Sequence, residues 1–195
     1  MPSLVPPIVP AGRMCAHPQP TLLVDQLVLR PWQSSDARQV AEAYQDPAIR
    51  RWHVRSMTDA EALAWVRSWP RRWAAETGAG WAVDDHGVLL GRVGFRVDLA
   101  EGSAEAGYWV VPAARGRGVA PCALRAVTEW MFANVGLHRI ELSHSSANEA
   151  SCRVAMKAGY LYEGTRRAQI RHADGWHDMH LHARLEGDLV PTDQA

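Results

Sequence analysis

Between Tyr108 and Ala120 the chain reads YWVVPAARGRGVA. A strand-like run stops at Pro112, a loop of small residues follows, and an Arg-Gly-Arg-Gly turn opens an apolar-periodic segment. No other stretch limits the fold as tightly. A strand that passes through glycines into a helix leaves backbone N–H groups free at the helix N-terminus, where the helix dipole also favours an anion. The turn is therefore a candidate phosphate cradle, and its flanks decide which phosphate it suits.

Those flanks alternate between two periods. Residues 22–30 read as a strand interrupted near Asp25-Gln26. Ser34-Ser35-Asp36 supplies N-cap chemistry for a helix through about Tyr44, ended by Asp46-Pro47. Thr58-Asp59-Ala60-Glu61 is a capping box. The helix it begins turns Leu63, Val66 and Trp69 inward, and Pro70 is placed to kink it. Residues 81–84, 88–97 and 104–111 form a three-stranded meander with turns at Asp85-His86-Gly87 and Glu101-Gly102-Ser103. A helix over 119–135 repeats apolar residues at three and four: Ala120, Ala123, Leu124, Val127, Trp130 and Met131.

A short strand over 138–144 comes next, then a helix capped near Ser146-Ala147-Asn148 that runs to Ala158 and stops at Gly159. Residues 160–170 and 177–185 form a final hairpin. The order β-α-α-β-β-β-α-β-α-β-β is α/β (α+β), with a mixed, mostly antiparallel sheet and helices on both faces. Residues 1–20, with six prolines, form an irregular arm; 21–186 form one domain; 187–195 form a polar tail.

Lys and Arg total 21 against 21 Asp and Glu, so no net field recruits nucleic acid or an anionic membrane. Cys15, Cys122 and Cys152 are too few and scattered for a disulfide framework and show no metal-ligand spacing, which suits reduced thiols in a cytoplasm. No apolar run approaches the roughly 18–20 residues of a membrane span. The proline-broken start lacks the basic region of a signal peptide. Among nine histidines, His177, His180 and His182 crowd the last strand, but 177 faces away from the other two, so no metal site is expected there. His144 stands out instead as a pocket-lining residue.

Three sequence features belong together: the turn Arg115-Gly116-Arg117-Gly118-Val119-Ala120, the upstream Ala104-Glu105-Ala106-Gly107-Tyr108-Trp109-Val110, and the downstream Asn148-Glu149-Ala150-Ser151 leading to Gly159-Tyr160. The turn matches Gln/Arg-x-x-Gly-x-Gly/Ala in full. With these parts, residues 20–186 resemble the GNAT acyl-CoA N-acyltransferases, in particular their RimJ/RimL-type branch, whose last strand residues 175–185 also resemble.

The resemblance implies a GNAT fold with splayed central strands and acetyl-CoA, or another acyl-CoA, as co-substrate, with no metal. It implies direct acyl transfer in a ternary complex to a primary amine, on a protein N-terminus or a small molecule. Arg115, Gly116, Arg117, Gly118, Val119 and Ala120 would hold the pyrophosphate. The backbone of Trp109, Val110 and Val111 would pair with pantetheine, and Asn148 would contact it. Glu105 would be the general base, and Ser151 the proton donor to the thiolate.

Read from the residues alone, Glu105 fits equally a surface carboxylate paired with an arginine, Ser151 a first-turn serine, and Asn148 an N-cap. Some members of the branch carry a second carboxylate on the strand after the Gly-Tyr/Phe turn. Here that neighbourhood is Gln169-Ile170-Arg171, which leaves Glu105, a histidine or water as base. Direct transfer makes Cys152 structural.

Trp52, Trp65, Trp69 and Trp73, with Arg50, Arg51, Arg55, Arg71 and Arg72, occupy the segment that shapes the acceptor groove in this family. The alternative function is an idle GNAT domain that senses acyl-CoA or binds a partner. The arm and the edges of the last hairpin suggest a homodimer or higher homo-oligomer.

Overall fold

A computed structural model describes residues 4–188. The polar tail beyond Asp188 lies outside the described residues. The elements are β1 (Leu22–Val24), β2 (Leu27–Pro31), α1 (Ala37–Ala43), α2 (Pro47–His53), α3 (Asp59–Ala74), β3 (Gly78–Asp85), β4 (Val88–Asp98), β5 (Ser103–Val110), α4 (Val119–Trp130), β6 (Arg139–Ser145), α5 (Glu149–Lys157), β7 (Leu161–His172) and β8 (Gly175–Leu185). Short 3₁₀ turns precede α1 and follow β5, and a π-turn over Met131–Val135 extends α4.

The eight strands form one sheet in the order β1-β2-β3-β4-β5-β6-β8-β7. Every neighbouring pair is antiparallel except β5 and β6. That one parallel pair is short, joining Ser103–Ala106 to Arg139–Leu142. Beyond it, β5 runs on to Val110 beside β4, and β6 runs on to Ser145 beside β8, so the two strands part. The expected central splay is present.

One face of the sheet buries Leu124 and Val127 from α4, Met131 from the π-turn that extends it and Ala155 from α5 against Val93, Phe95, Ala106 and Ile140. The other face packs Val40 from α1, Ile49 from α2, and Val66 and Trp69 from α3 against Ala82, Leu89 and Trp109. Helices therefore cover both faces, as the alternating strand pattern implied.

Two local readings differ from the sequence expectation. Asp25 adopts φ 53 and splits residues 22–30 into two strands that pair as a hairpin. Asp46-Pro47 ends one helix and begins another. The Asp46 side chain accepts from the Ile49 amide, and Pro47 fills a first-turn position where its missing N–H costs nothing. Helix α3 opens on the expected Thr58–Glu61 capping box, with both reciprocal bonds made, and runs through Pro70 to Ala74.

The proline-rich arm lies on the domain. Val9 and Met14 are buried in the core. The amides of Ile8 and Val9 donate to the carbonyls of Ala100 and Leu99. The Glu76 carboxylate accepts from the Gly12, Met14 and Cys15 amides at 2.6, 2.7 and 3.0 Å. The indole N–H groups of Trp73 and Trp81 donate to the carbonyls of His17 and Pro20.

Sheet and helix approach most closely at Gly80, where an added Cβ would sit 2.6 Å from carbons of the Trp69 ring. Trp69 is itself buried and cannot withdraw. Gly80→Ala is expected to lower stability by about 1–3 kcal/mol through overpacking, measured by thermal or denaturant unfolding; unchanged stability would contradict this packing.

Candidate functional site

The parting of β5 and β6 opens a cleft of about 520 Å³. Nine of the residues singled out in the sequence line it: Trp109, Val110, Arg115, Gly116, Gly118, Val119, Ala120, Asn148 and Ser151. Arg117 lies beside it in a second cavity of about 410 Å³ that also reaches Gly118, Val119 and Lys157. Val111 lines neither, and its amide is bonded to the Leu90 carbonyl. Glu105 also lies outside both cavities. Its half-exposed carboxylate is ion-paired with Arg96 of the neighbouring strand.

The glycine turn is built for backbone donation. Gly116 and Gly118 have φ of 77 and 75°, a region that strains any residue with a Cβ. Gly118 caps α4 without a side-chain hydrogen bond, and the first bond back to it comes from the Cys122 amide. Among the described residues nothing accepts from the N–H groups of 116–120. They converge at a positive helix end, which is where an anion binds.

Arg115 serves the turn rather than reaching freely outward. It bonds Asp46 at 2.5 Å and the Val110 carbonyl at 3.3 Å, tying the turn to the start of α2 and the end of β5. Burial pushes the Asp46 carboxyl up, but Arg115 and the Ile49 amide outweigh it and hold the group below the usual carboxylate range.

Midway along the cleft, the Tyr108 hydroxyl lies 2.8 Å from Ser151 Oγ. Burial pushes Tyr108 up to about 12, so the phenol keeps its proton at neutral pH and the pair retains a proton to donate. Asn148 fills one of its candidate roles, the N-cap, and is placed for the other. It caps α5 by accepting from the Ser151 amide at 3.1 Å, and it lines the cleft.

The far end of the cleft is formed by Trp52 and His53 of α2. His53 Nε2 donates to the Tyr108 carbonyl at 3.1 Å. Burial, helped by Arg92, pushes His53 down to about 4, so it is neutral in the folded protein near pH 7.

The Trp52 ring meets His172 and His177 edge-on. His177 stands in a chain of its own: Nε2 is 2.8 Å from Asp174 Oδ1, and Nδ1 is 2.7 Å from Ser145 Oγ. The carboxylate can only accept, so Nε2 carries the proton and Nδ1 is the basic nitrogen. Asp174 is held below the usual carboxylate range by its own backbone N–H, then by His177 and Arg51. Of the other candidate acceptor-groove residues, Trp69 and Trp73 are core, and Trp65 packs edge-on to Trp32 and Trp69.

On the opposite face of β6 and β8, His144, His180 and His182 gather with Cys152 of α5, their ligand atoms all within 4.8 Å of one another. Burial pushes both His144 and His182 below the ordinary histidine value.

Comparison with known proteins agrees with this geometry. The family model for an acetyltransferase (GNAT) domain matches residues 26–161. The chain belongs to the GNAT acetyltransferase family. It is 29% identical over 154 residues to the uncharacterized N-acetyltransferase YoaA of Bacillus subtilis (strain 168), covering 76% of this chain and 86% of that protein.

Among solved structures, a GNAT-family acetyltransferase from Bacillus anthracis superposes with a TM-score of 0.76 at 25% identity, covering 85% of this chain and 98% of that one. RimL, a ribosomal L7/L12 alpha-N-protein acetyltransferase in complex with coenzyme A, superposes with a TM-score of 0.80 at 17% identity, over 85% of this chain and 98% of that one. The protein is thus an acyl-CoA-dependent N-acetyltransferase with the RimJ/RimL-type fold.

Sequence reasoning missed Tyr108 and His53 in the cleft, and it missed the Asp174–His177–Ser145 chain and the Cys/His cluster outside it. Tyr108 was within reach of it: strand alternation already put Tyr108 on the face opposite Glu105. The other groups come from elements distant in sequence, and no local spacing marks them.

His53 also gives the fold an acid limb. An unfolded chain protonates it near the ordinary value of 6.5, whereas the folded protein does so only near 4. Between those values the unfolded state binds more protons, so stability falls as pH drops from about 6.5 toward 4. His53→Gln should flatten that part of the profile, read by denaturant unfolding at stepped pH; an unaltered slope would remove His53 as its source.

Proposed function

We propose that this GNAT enzyme moves an acetyl group from acetyl-CoA to a primary amine, a peptide N-terminus before a small molecule, in a cytoplasm. The observation that carries the reading is one cleft lined by the glycine turn with its unpaired amides, by the Tyr108–Ser151 hydroxyl pair, and by Trp52 and His53. Coenzyme A needs an anion cradle, an unpaired strand edge and a proton donor near sulfur, and this cleft holds all three. A peptide N-terminus is favoured because its amine, with a pKa near 8 against about 10.4 for lysine, loses a proton more readily. The RimL neighbour, which acts on such an N-terminus, agrees with this choice.

In this reading the amides of 116–120 and the end of α4 hold the pyrophosphate, with Arg117 facing the adjoining cavity. Val111 bonds β4 and alternation turns the Trp109 backbone the same way, so the gap-facing edge of Tyr108 and Val110 lies along pantetheine, beside Asn148. The amine nitrogen attacks the thioester carbon, the C–S bond breaks, and the thiolate takes a proton from the Tyr108–Ser151 pair. The attacking nitrogen gives up its proton through Ser145 to His177 Nδ1, with Asp174 holding the imidazole. His177 pairs with Ile170 across the last hairpin, within the segment that lacks the second carboxylate. Ser145 and His177, like Glu105, do not line the cleft directly, but Trp52 lines it and packs edge-on against His177, which favours His177 over Glu105, already engaged by Arg96.

Calorimetry with acetyl-CoA should give one site per chain, and release of free thiol should follow on adding peptides with free N-termini. No binding at sub-millimolar acetyl-CoA would remove the reading. Ser151→Ala with Tyr108→Phe should lower kcat by about 10²-fold with acetyl-CoA affinity kept. His177→Gln should do the same while Glu105→Gln leaves the rate nearly intact; the reverse result would return the base to Glu105.

A further inference from the structure

Outside the residues that line the cleft, four ligand-type side chains from three elements converge: His144 of β6, His180 and His182 of β8, and Cys152 of α5. His144 Nε2 is 3.2 Å from His182 Nε2, and Cys152 Sγ is 3.8 Å from the same nitrogen. His144 Nδ1 lies 2.8 Å from the Ser145 carbonyl. A carbonyl can only accept, so Nδ1 carries the proton and the Nε2 lone pair points into the cluster, the arrangement usual for a metal-binding histidine. Nδ1 of His180 is buried with no hydrogen-bond partner. His182 is wholly buried. Burying this much polar surface is costly unless something in the middle satisfies it.

We propose that His144, Cys152, His180 and His182 form a closed binding site for one divalent cation of intermediate softness, zinc being the best fit. Zinc bonds of about 2.0–2.1 Å to nitrogen and 2.3 Å to sulfur imply tetrahedral edges of about 3.3 Å between nitrogens and about 3.6 Å between nitrogen and sulfur. The observed pairs, at 3.2 and 3.8 Å, are close to both. One thiolate with three imidazoles suits zinc or cobalt and not magnesium or calcium. Four protein ligands leave no open position, so the ion is structural: it clamps α5, which carries Asn148 and Ser151, to the two strands beside the cleft. No motif announces the site because the cysteine lies on a helix and the histidines on two paired strands that are not consecutive in the chain.

The test uses the full chain, stripped with chelator, kept reduced and titrated with Co²⁺ near pH 7. One equivalent should produce the visible bands of tetrahedral cobalt and a thiolate-to-cobalt band in the near ultraviolet, both removed by added Zn²⁺. Cys152→Ser should abolish the thiolate band. His180→Gln should weaken binding by more than the roughly 10–100-fold that losing an outer hydrogen-bonding partner costs. Independently of any variant, Zn²⁺ should shield Cys152, but not the exposed Cys15, from alkylation mapped by mass spectrometry. A wild-type chain with no cobalt bands, a thiolate band that survives in Cys152→Ser, or equal labelling of Cys152 with and without Zn²⁺ would each overturn the site.

Discussion

The structure depends on two parallel strands that stop pairing. β5 and β6 share a ladder only through Ala106 and Leu142. Each later residue on the facing edges gives up backbone hydrogen bonds, and a buried donor or acceptor left unmet costs about 1–3 kcal/mol. The gap is kept local. β6 remains paired with β8 through Ser145, and β5 remains paired with β4 through Val110. Inside the gap, side chains take up part of the loss: His53 donates to the Tyr108 carbonyl and Arg115 to the Val110 carbonyl. The backbone groups still unpaired there are the ones an extended amide ligand can meet.

The same gap explains why the glycine turn works where it does. A helix N-terminus elsewhere on the surface would attract anions weakly and without selectivity. Here Arg115 fixes the turn to Asp46 and Val110, so the free amides sit at one end of the opened strand edge. In the proposed function, phosphate binding and pantetheine pairing are two parts of one surface. Arg115 therefore matters more for geometry than for charge.

What could be read from the sequence was local. The meander, the capping box at Thr58 and the Arg-Gly-Arg-Gly turn are each set by neighbours a few residues away, and each is found where it was read. Helix α2 was misread because Asp-Pro is both a stop and a start, and only the Asp46–Ile49 bond tells which. The donor half of the site followed from motif and flanks. The proposed acceptor half did not, since the hydrogen-bond chain of His177 is completed by Ser145, 32 residues away in the chain.

β6 joins these halves through simple alternation. His144 points to the α5 face and Ser145 to the Trp52 face, one residue apart. A one-residue slip of β6 against β8 would exchange the two faces, placing His144 toward His177 and Ser145 toward the Cys152 cluster. Register on this strand is therefore fixed from both sides, by the Cys/His cluster on one face and the Asp174–His177–Ser145 chain on the other. The position of the acceptor chemistry then follows from packing behind the strand as much as from the residues lining the cleft.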